Sequence, residues 1–161
     1  MMEIVRVKMA DLNIADSPKV LITSGLGSCV GIVLYDEQKR IGGMAHVMLP
    51  DSTSMRNQTN LAKYADTAMN LLLEELLKKG VNQKRLWAKM AGGSQMFSFD
   101  SDNELMRIGA RNIEAVKKKL KEFGIPIVGE DTGGSHGRTM EFYTETGIAL
   151  IKSVKMGDNE L

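Results

Sequence analysis

The chain has 161 residues, 43% of them hydrophobic and 25% charged, which is typical of one globular domain with its own core. Its 21 basic and 20 acidic residues leave a net charge of +1, so the broad basic field that nucleic-acid binding needs is missing. A single cysteine excludes an internal disulfide and favours a reducing compartment. With neither a membrane-spanning run nor a secretion signal in the sequence, we expect a cytoplasmic protein.

The N-terminal part of the chain predicts two strands and a glycine-containing turn. Apolar residues alternate within 1–8 and predict an edge strand, whereas the polar segment 9–19 predicts a loop. A short apolar strand follows at 20–23. The sequence SGLGS at 24–28 then predicts a turn in which backbone N–H groups converge without hindrance from side chains. Such a turn can hold an anion, or it can be a turn and nothing more.

Residues 29–48 are predicted to form a hairpin, because two apolar runs flank the polar sequence DEQKR. A four-residue turn at 36–39 would place Cys29 directly opposite His46. Directly opposed residues share one face of a sheet, with Cβ atoms roughly 4.5–5.5 Å apart. This register therefore predicts that a thiol lies beside an imidazole, and a slip of one residue would separate the two.

Helical periodicity appears twice in the remainder of the chain. Residues 61–79 predict the main helix, capped at its start by Thr59 or Asn60 and ended by Gly80. Residues 109–123 predict a second amphipathic helix. The other predicted elements are a polar loop at 50–60, a strand at 85–91, an irregular segment at 94–107, a strand at 125–130, a glycine-rich turn at 131–138, a hairpin of 139–144 with 148–154, and a frayed tail from 157.

Hairpins stand at both ends of this order with two helices between them. The order lacks strict strand–helix alternation, so it favours an α+β sandwich with mixed, largely antiparallel sheet layers over a doubly wound parallel sheet. We expect a single domain over residues 1–161, with 1–18 and 157–161 at its periphery.

Cys29 and His46 are the candidate catalytic pair. Cys29 is either a buried thiol that packs as a small hydrophobe or a nucleophile whose pKa a neighbouring imidazole lowers. His46 is either a core histidine or the general base. Thr23, otherwise an ordinary strand residue, can accept a hydrogen bond from the second imidazole nitrogen and so complete a triad. Gly27 and Ser28 precede the cysteine, and backbone amides at this turn can serve as oxyanion donors.

Metal and nucleotide sites are poorly supported by the sequence. One cysteine and two histidines, at 29, 46 and 136, do not match the spacing of a zinc site. The GGSHGR sequence can cradle an anion through its amides and Arg138. No Walker lysine and no helix pattern follow it, which argues against nucleotide binding. His136 is predicted to be an exposed loop residue, and no cofactor is expected.

Several motifs together carry a family resemblance. The segments GLGSCVGI, GGMAHVMLP, KYAD, AGGSQMF, IGARN and EDTGGSHGR, the last followed by TMEFYTETG, occur in this order between about residues 19 and 154. With the Thr-x5-Cys-x16-His spacing, they strongly resemble the bacterial CheD family of chemoreceptor glutamine deamidases.

The resemblance implies an activity, a site and two partners. It implies a fold related to that of bacterial deamidating toxins and a papain-like triad of Cys29, His46 and Thr23. The enzyme would be a protein-glutamine glutaminase, an amidohydrolase that converts receptor glutamines to glutamate and releases ammonia. The implied partners are the cytoplasmic helices of methyl-accepting chemotaxis receptors and the CheC phosphatase. The alternatives are receptor methylesterase activity at the same site, or a non-catalytic regulatory module that binds CheC or receptor helices.

Overall fold

Two five-stranded sheets and two helices make up the fold. A computed structural model describes residues 2–53, 60–96 and 107–161. The strands are β1 (Ile4–Arg6), β2 (Leu12–Asp16), β3 (Val20–Leu26), β4 (Val30–Asp36), β5 (Ile41–Val47), β6 (Leu86–Gly92), β7 (Ile127–Thr132), β8 (Arg138–Tyr143), β9 (Ile148–Ser153) and β10 (Gly157–Glu160), and the helices are α1 (Ala65–Lys78) and α2 (Ile108–Phe123). The first sheet has the order β1-β3-β8-β9-β10 and the second the order β2-β5-β4-β6-β7.

The second sheet is the central layer, because alternate residues of its strands pack on opposite sides. Val30, Ile32 and Leu34 of β4 join a core cluster with α1 and α2. Val33 and Tyr35 face the other way, into a cluster with the first sheet. Among the strand pairs, β1–β3 and β6–β7 are parallel and the others antiparallel. The predicted α+β class, with mixed and largely antiparallel sheets and two helices, is confirmed. The kinship with deamidating toxins stays a prediction.

Both helices lie close to their predicted positions. Helix α2 starts one residue early and ends at Gly124, which adopts the left-handed conformation with φ 70°. Helix α1 begins at Ala65 rather than at 61, because residues 61–63 form a 3₁₀ turn and the extended Tyr64 bridges to Leu49. The predicted cap at Asn60 is confirmed for that turn, since its side chain accepts a hydrogen bond from the Ala62 amide.

The predicted register of the β4–β5 hairpin is wrong by two residues. Asp36 belongs to β4 and pairs with Ile41, so the turn spans 37–40. The Asp36 carboxylate stays at the strand end because it accepts the amides of Gln38 and Lys39 and an ion pair from Arg85. His46 therefore lies opposite Gly31 and not Cys29. A shift of two keeps Cys29 on the predicted face, because side chains alternate with a period of two.

Three local predictions are corrected by the structure. The segment 9–19, predicted as a loop, contains β2, which pairs with β5 along its whole length. The tail predicted to fray forms β10 and pairs with β9. The predicted turn at 24–28 starts later, since β3 continues to Leu26 through an irregularity after Thr23. In each case the residues pair through their backbone with another strand, either one distant in sequence or one across a glycine-containing turn. This pairing orders residues whose own hydrophobic pattern is weak.

Some predictions fall outside the described residues. These are the cap at Thr59, most of the loop at 50–60, and most of the irregular segment at 94–107. Within the described part of the chain, no helix has both the length and the apolar character needed to cross a bilayer. The segments predicted to be peripheral contribute β1, β2 and β10, which are all edge strands. The single-domain organisation stays a prediction.

Candidate active site

The three predicted catalytic residues converge between the two sheets. Thr23 comes from β3 of the first sheet, His46 from β5 of the second, and Cys29 immediately precedes β4. Gly31 lies on β4, two residues after Cys29, and pairs with His46. A Cβ at that glycine would lie 3.3 Å from the Thr23 methyl carbon, so any larger residue would crowd the space beside the imidazole. Cys29, one alternate position back from Gly31, is then the diagonal cross-strand neighbour of His46 on the same face.

A hydrogen-bond chain fixes the imidazole. The Thr23 hydroxyl donates to the Val7 carbonyl at 2.7 Å and lies 2.7 Å from His46 Nδ1. A hydroxyl has one proton, and here Val7 accepts it. Nδ1 must therefore carry the ring proton and donate it to Thr23, which leaves Nε2 with a free lone pair. Thr23 thus fixes the tautomer through its side chain.

His46 is neutral in this environment. The residue is 0% exposed, and burial lowers the pKa of its imidazole from 6.5 to about 4. Its Nε2 is buried and makes no hydrogen bond to any described group, the Cys29 thiol included. A buried acceptor without a partner is uncommon and is found at catalytic centres. The imidazole is thus a neutral base with an unoccupied acceptor.

Cys29 is a buried free cysteine at the wall of a cleft. The residue is 8% exposed and lines a cavity of ≈ 380 Å³. The expectation of a lowered thiol pKa is wrong for this structure. Burial raises the pKa, and only the residue's own backbone amide opposes that shift. With a neutral imidazole and a protonated thiol, the resting pair carries no charge.

The cleft has walls from five separate stretches of the chain. Its lining residues are Ser28, Cys29, Met48, Leu49, Lys63, Ser94, Gln95, Met96, Ile108 and Gly109. Apart from Ser28 and Cys29, none of these was predicted as a site residue. A signal was present, since most belong to the motifs AHVMLP, KYAD, AGGSQMF and IGARN that carry the family resemblance. The sequence does not show that these motifs meet around one cavity.

The predicted oxyanion loop, residues 27–29, is anchored through two of its backbone carbonyl groups. The Gly27 carbonyl accepts the Ser94 amide at 2.8 Å, and the Cys29 carbonyl accepts the Gly93 amide at 2.8 Å. The strand end at Gly92 approaches so closely that a Cβ there would lie 2.2 Å from the Cys29 oxygen. The loop is therefore fixed against the end of β6, and Ser28 lines the cleft.

The second glycine-rich loop does not provide a free cation. Arg138 is buried and binds the Asp131 carboxylate, with further bonds to the Ser94 hydroxyl and the Gly92 carbonyl. The guanidinium is thus engaged within the protein rather than available to an anion. His136, predicted to be exposed, is half-buried. Among the described residues, no group of three or more histidine, cysteine, aspartate or glutamate side chains converges on a metal position.

Comparison with known proteins identifies relatives over the full chain. Residues 48–153 match the family model of CheD, described as chemotactic sensory transduction. A protein named chemoreceptor glutamine deamidase CheD from Halalkalibacterium halodurans is 57% identical over 100% of both chains. Proteins of the same name from Bacillus subtilis and Bacillus velezensis are 50% and 48% identical, each over 98% of this chain and 96% of its own. Among solved structures, the Bacillus licheniformis hypothetical protein YfiH matches with a TM-score of 0.49 and 17% identity, over 75% of this chain and 50% of that one.

Proposed function

The chain belongs to the CheD family, and on that basis we propose that it deamidates glutamine side chains of chemoreceptors to glutamate, with release of ammonia. The substrate class comes from the names of its relatives. The chemistry is argued from this chain's own residues. We assign Cys29 as the nucleophile, His46 as general base and acid, and Thr23 as the residue that holds His46.

The proposal rests above all on the state of the His46 ring. Its Nδ1 proton is committed to Thr23, whose own proton is committed to Val7. Nε2 is consequently a lone pair with no described partner, on the face of the second sheet that also carries Cys29. A hydrogen bond between nucleophile and base often forms only once substrate is bound, so an unpartnered Nε2 is compatible with this role.

The reaction begins from the neutral pair. The Cys29 thiol passes its proton to His46 Nε2 while the sulfur attacks the carboxamide carbon of the glutamine. The resulting tetrahedral intermediate expels the nitrogen, which takes the proton back from Nε2 and leaves as ammonia. Water then gives a proton to Nε2 and attacks the thioester carbon. Collapse of the second tetrahedral intermediate releases glutamate and restores the thiol.

The amides of Ser28 and Cys29 are the proposed donors to the oxyanion. Each intermediate places negative charge on the former carbonyl oxygen, and fixed backbone N–H groups stabilise that charge without reorganising. The loop that carries both amides borders the cleft and is anchored through the Gly27 and Cys29 carbonyls.

The partners follow from the family and from the cleft. Met48 and Met96 line the same cleft as Cys29 and offer adaptable apolar surface to a receptor helix that presents a glutamine. CheC is a proposed regulatory partner and the cytoplasm the proposed location, both on family resemblance alone.

The test is incubation of the protein with a purified receptor cytoplasmic fragment, followed by peptide mass mapping of each glutamine. We expect conversion of particular glutamines to glutamate with stoichiometric ammonia, and none with Cys29→Ala or His46→Ala. Loss of methyl groups from methylated receptor without glutamine conversion would indicate the methylesterase instead. Binding of receptor without either reaction would indicate a regulatory module.

A further inference from the structure

Asn112 in helix α2 is a buried polar residue to which the mechanism gives no role. It is 0% exposed and lies on the face of α2 that packs on the second sheet, together with Gly109 and Val116. Gly109 lets the helix approach the end of β6 so closely that a Cβ there would lie 2.3 Å from the Ser94 oxygen. One turn further on, this close approach brings the Asn112 amide to the strand ends beside the cleft.

The Asn112 amide joins the two stretches that carry the catalytic pair. Its Nδ2 donates to the Ser28 carbonyl at 2.9 Å and to the Met48 carbonyl at 3.0 Å. Ser28 immediately precedes the proposed nucleophile, and Met48 lies two residues after His46, directly beyond the end of β5. An asparagine side chain has two N–H donors, so both are used here.

The other half of the amide is left without a partner. Asn112 Oδ1 is buried and makes no hydrogen bond to any described group. An apolar residue of similar volume would fill this space without burying an unpaired acceptor. The presence of an amide at position 112 is therefore explained by the two hydrogen bonds that it donates rather than by packing.

The hydrogen bond to Ser28 sets the direction of the next amide. The Ser28–Cys29 peptide is trans, so its C=O and N–H point in opposite directions within one plane. With the Ser28 oxygen held toward Asn112, the Cys29 N–H points away from the helix, toward the thiol. The backbone amide of Cys29 does act on its own sulfur, where it lowers the thiol pKa against the effect of burial.

We infer that Asn112 is a positioning residue, which aims the Cys29 backbone N–H at the oxyanion of the reaction intermediates. The inference deepens the proposed function and rests on Cys29 being its nucleophile. Asn112 touches neither the substrate nor the sulfur, and it acts through the orientation of a single peptide plane.

Two small-molecule reagents that react with Cys29 distinguish this positioning role from a general contribution to stability. Acylation by p-nitrophenyl acetate passes through a tetrahedral oxyanion, whereas alkylation by iodoacetamide does not, and both need the same sulfur. In Asn112→Leu and Asn112→Ser we expect acylation to slow by about 10- to 100-fold, since losing one oxyanion donor outright costs roughly 100- to 1,000-fold. Alkylation should slow by a smaller factor, because it loses only the effect of the Cys29 amide on the thiol pKa. Val116→Ala, one turn along the same face of α2, is the control and should leave both rates unchanged.

Equal effects on both probes, or none on acylation, would overturn the inference. So would failure of both Asn112 variants to fold by circular dichroism, because Asn112 would then serve folding alone. Neither probe requires receptor. Absence of receptor deamidation in the wild-type protein would therefore refute the proposed function and leave this test standing.

Discussion

Acidification should destabilise this protein through His46, and the size of the effect follows from its burial. The unfolded chain protonates this ring near its ordinary pKa of 6.5, whereas burial lowers the pKa in the folded state to about 4. Between these values the unfolded state binds more protons, so stability is lost as the pH falls below 6.5. From pH 7 to pH 4.5 the loss from this group is about 2 kcal/mol, since each pH unit within the window contributes about 1.4 kcal/mol.

The measurement is urea denaturation at a series of pH values for the wild-type protein and His46→Gln. Carboxylates also titrate in this range, but they contribute equally to both proteins, so the difference between the two curves isolates the imidazole. His136→Gln is the control for the second histidine. Partial burial lowers the pKa of His136 as well, but its ring is half-buried in a loop, so we expect a smaller effect. Parallel curves for wild type and His46→Gln, or an NMR titration of His46 near 6.5, would refute the reasoning.

Three further predictions concern the thiol, the threonine and the strand end. Because burial raises the pKa of the Cys29 thiol, its alkylation rate should still rise above pH 8, and a plateau from pH 6 would contradict this. Thr23→Val leaves His46 Nδ1 without an acceptor and should lower kcat for deamidation by about 10- to 100-fold, whereas Thr23→Ser should retain activity; equal rates in the two variants would argue against a role for the hydroxyl. Gly92→Ala should reduce the free energy of unfolding in urea by more than the roughly 1–3 kcal/mol of backbone strain alone. Gly133→Ala, also at positive φ but in open space, supplies the comparison, and equal losses would exclude a steric contribution at Gly92.

The sequence was enough to choose the candidate catalytic residues, although it predicted the wrong strand register between them. Alternation with a period of two put Cys29 and His46 on one face, and an error of two residues in the register left that result intact. The turn position depended on Asp36, whose carboxylate binds Arg85, 49 positions away. No local sequence pattern indicates such a bond, so the register of the hairpin could not be predicted from the sequence.

Elements organised by distant partners were missed for the same reason. Strand β10 has only polar or glycine residues, all exposed, and forms because β9 offers it a ladder. The opposite wall of the cleft comes from α2 and the end of β6, far along the chain from Cys29. The sequence shows Asn112 as one more helical residue, and its two carbonyl partners appear only when the layers are assembled.

The proposed base, His46, and the threonine that binds it belong to different sheets, so the proposed activity depends on how the sheets dock. Thr23 and Val7 approach His46 from across the seam between the layers. A chain that has formed only the helix-covered sheet would contain Cys29 and His46. Its imidazole would be free to rotate and to exchange tautomers. Under the proposed mechanism, deamidation therefore requires both sheets to be docked, since only then is the imidazole held in the tautomer that leaves Nε2 free.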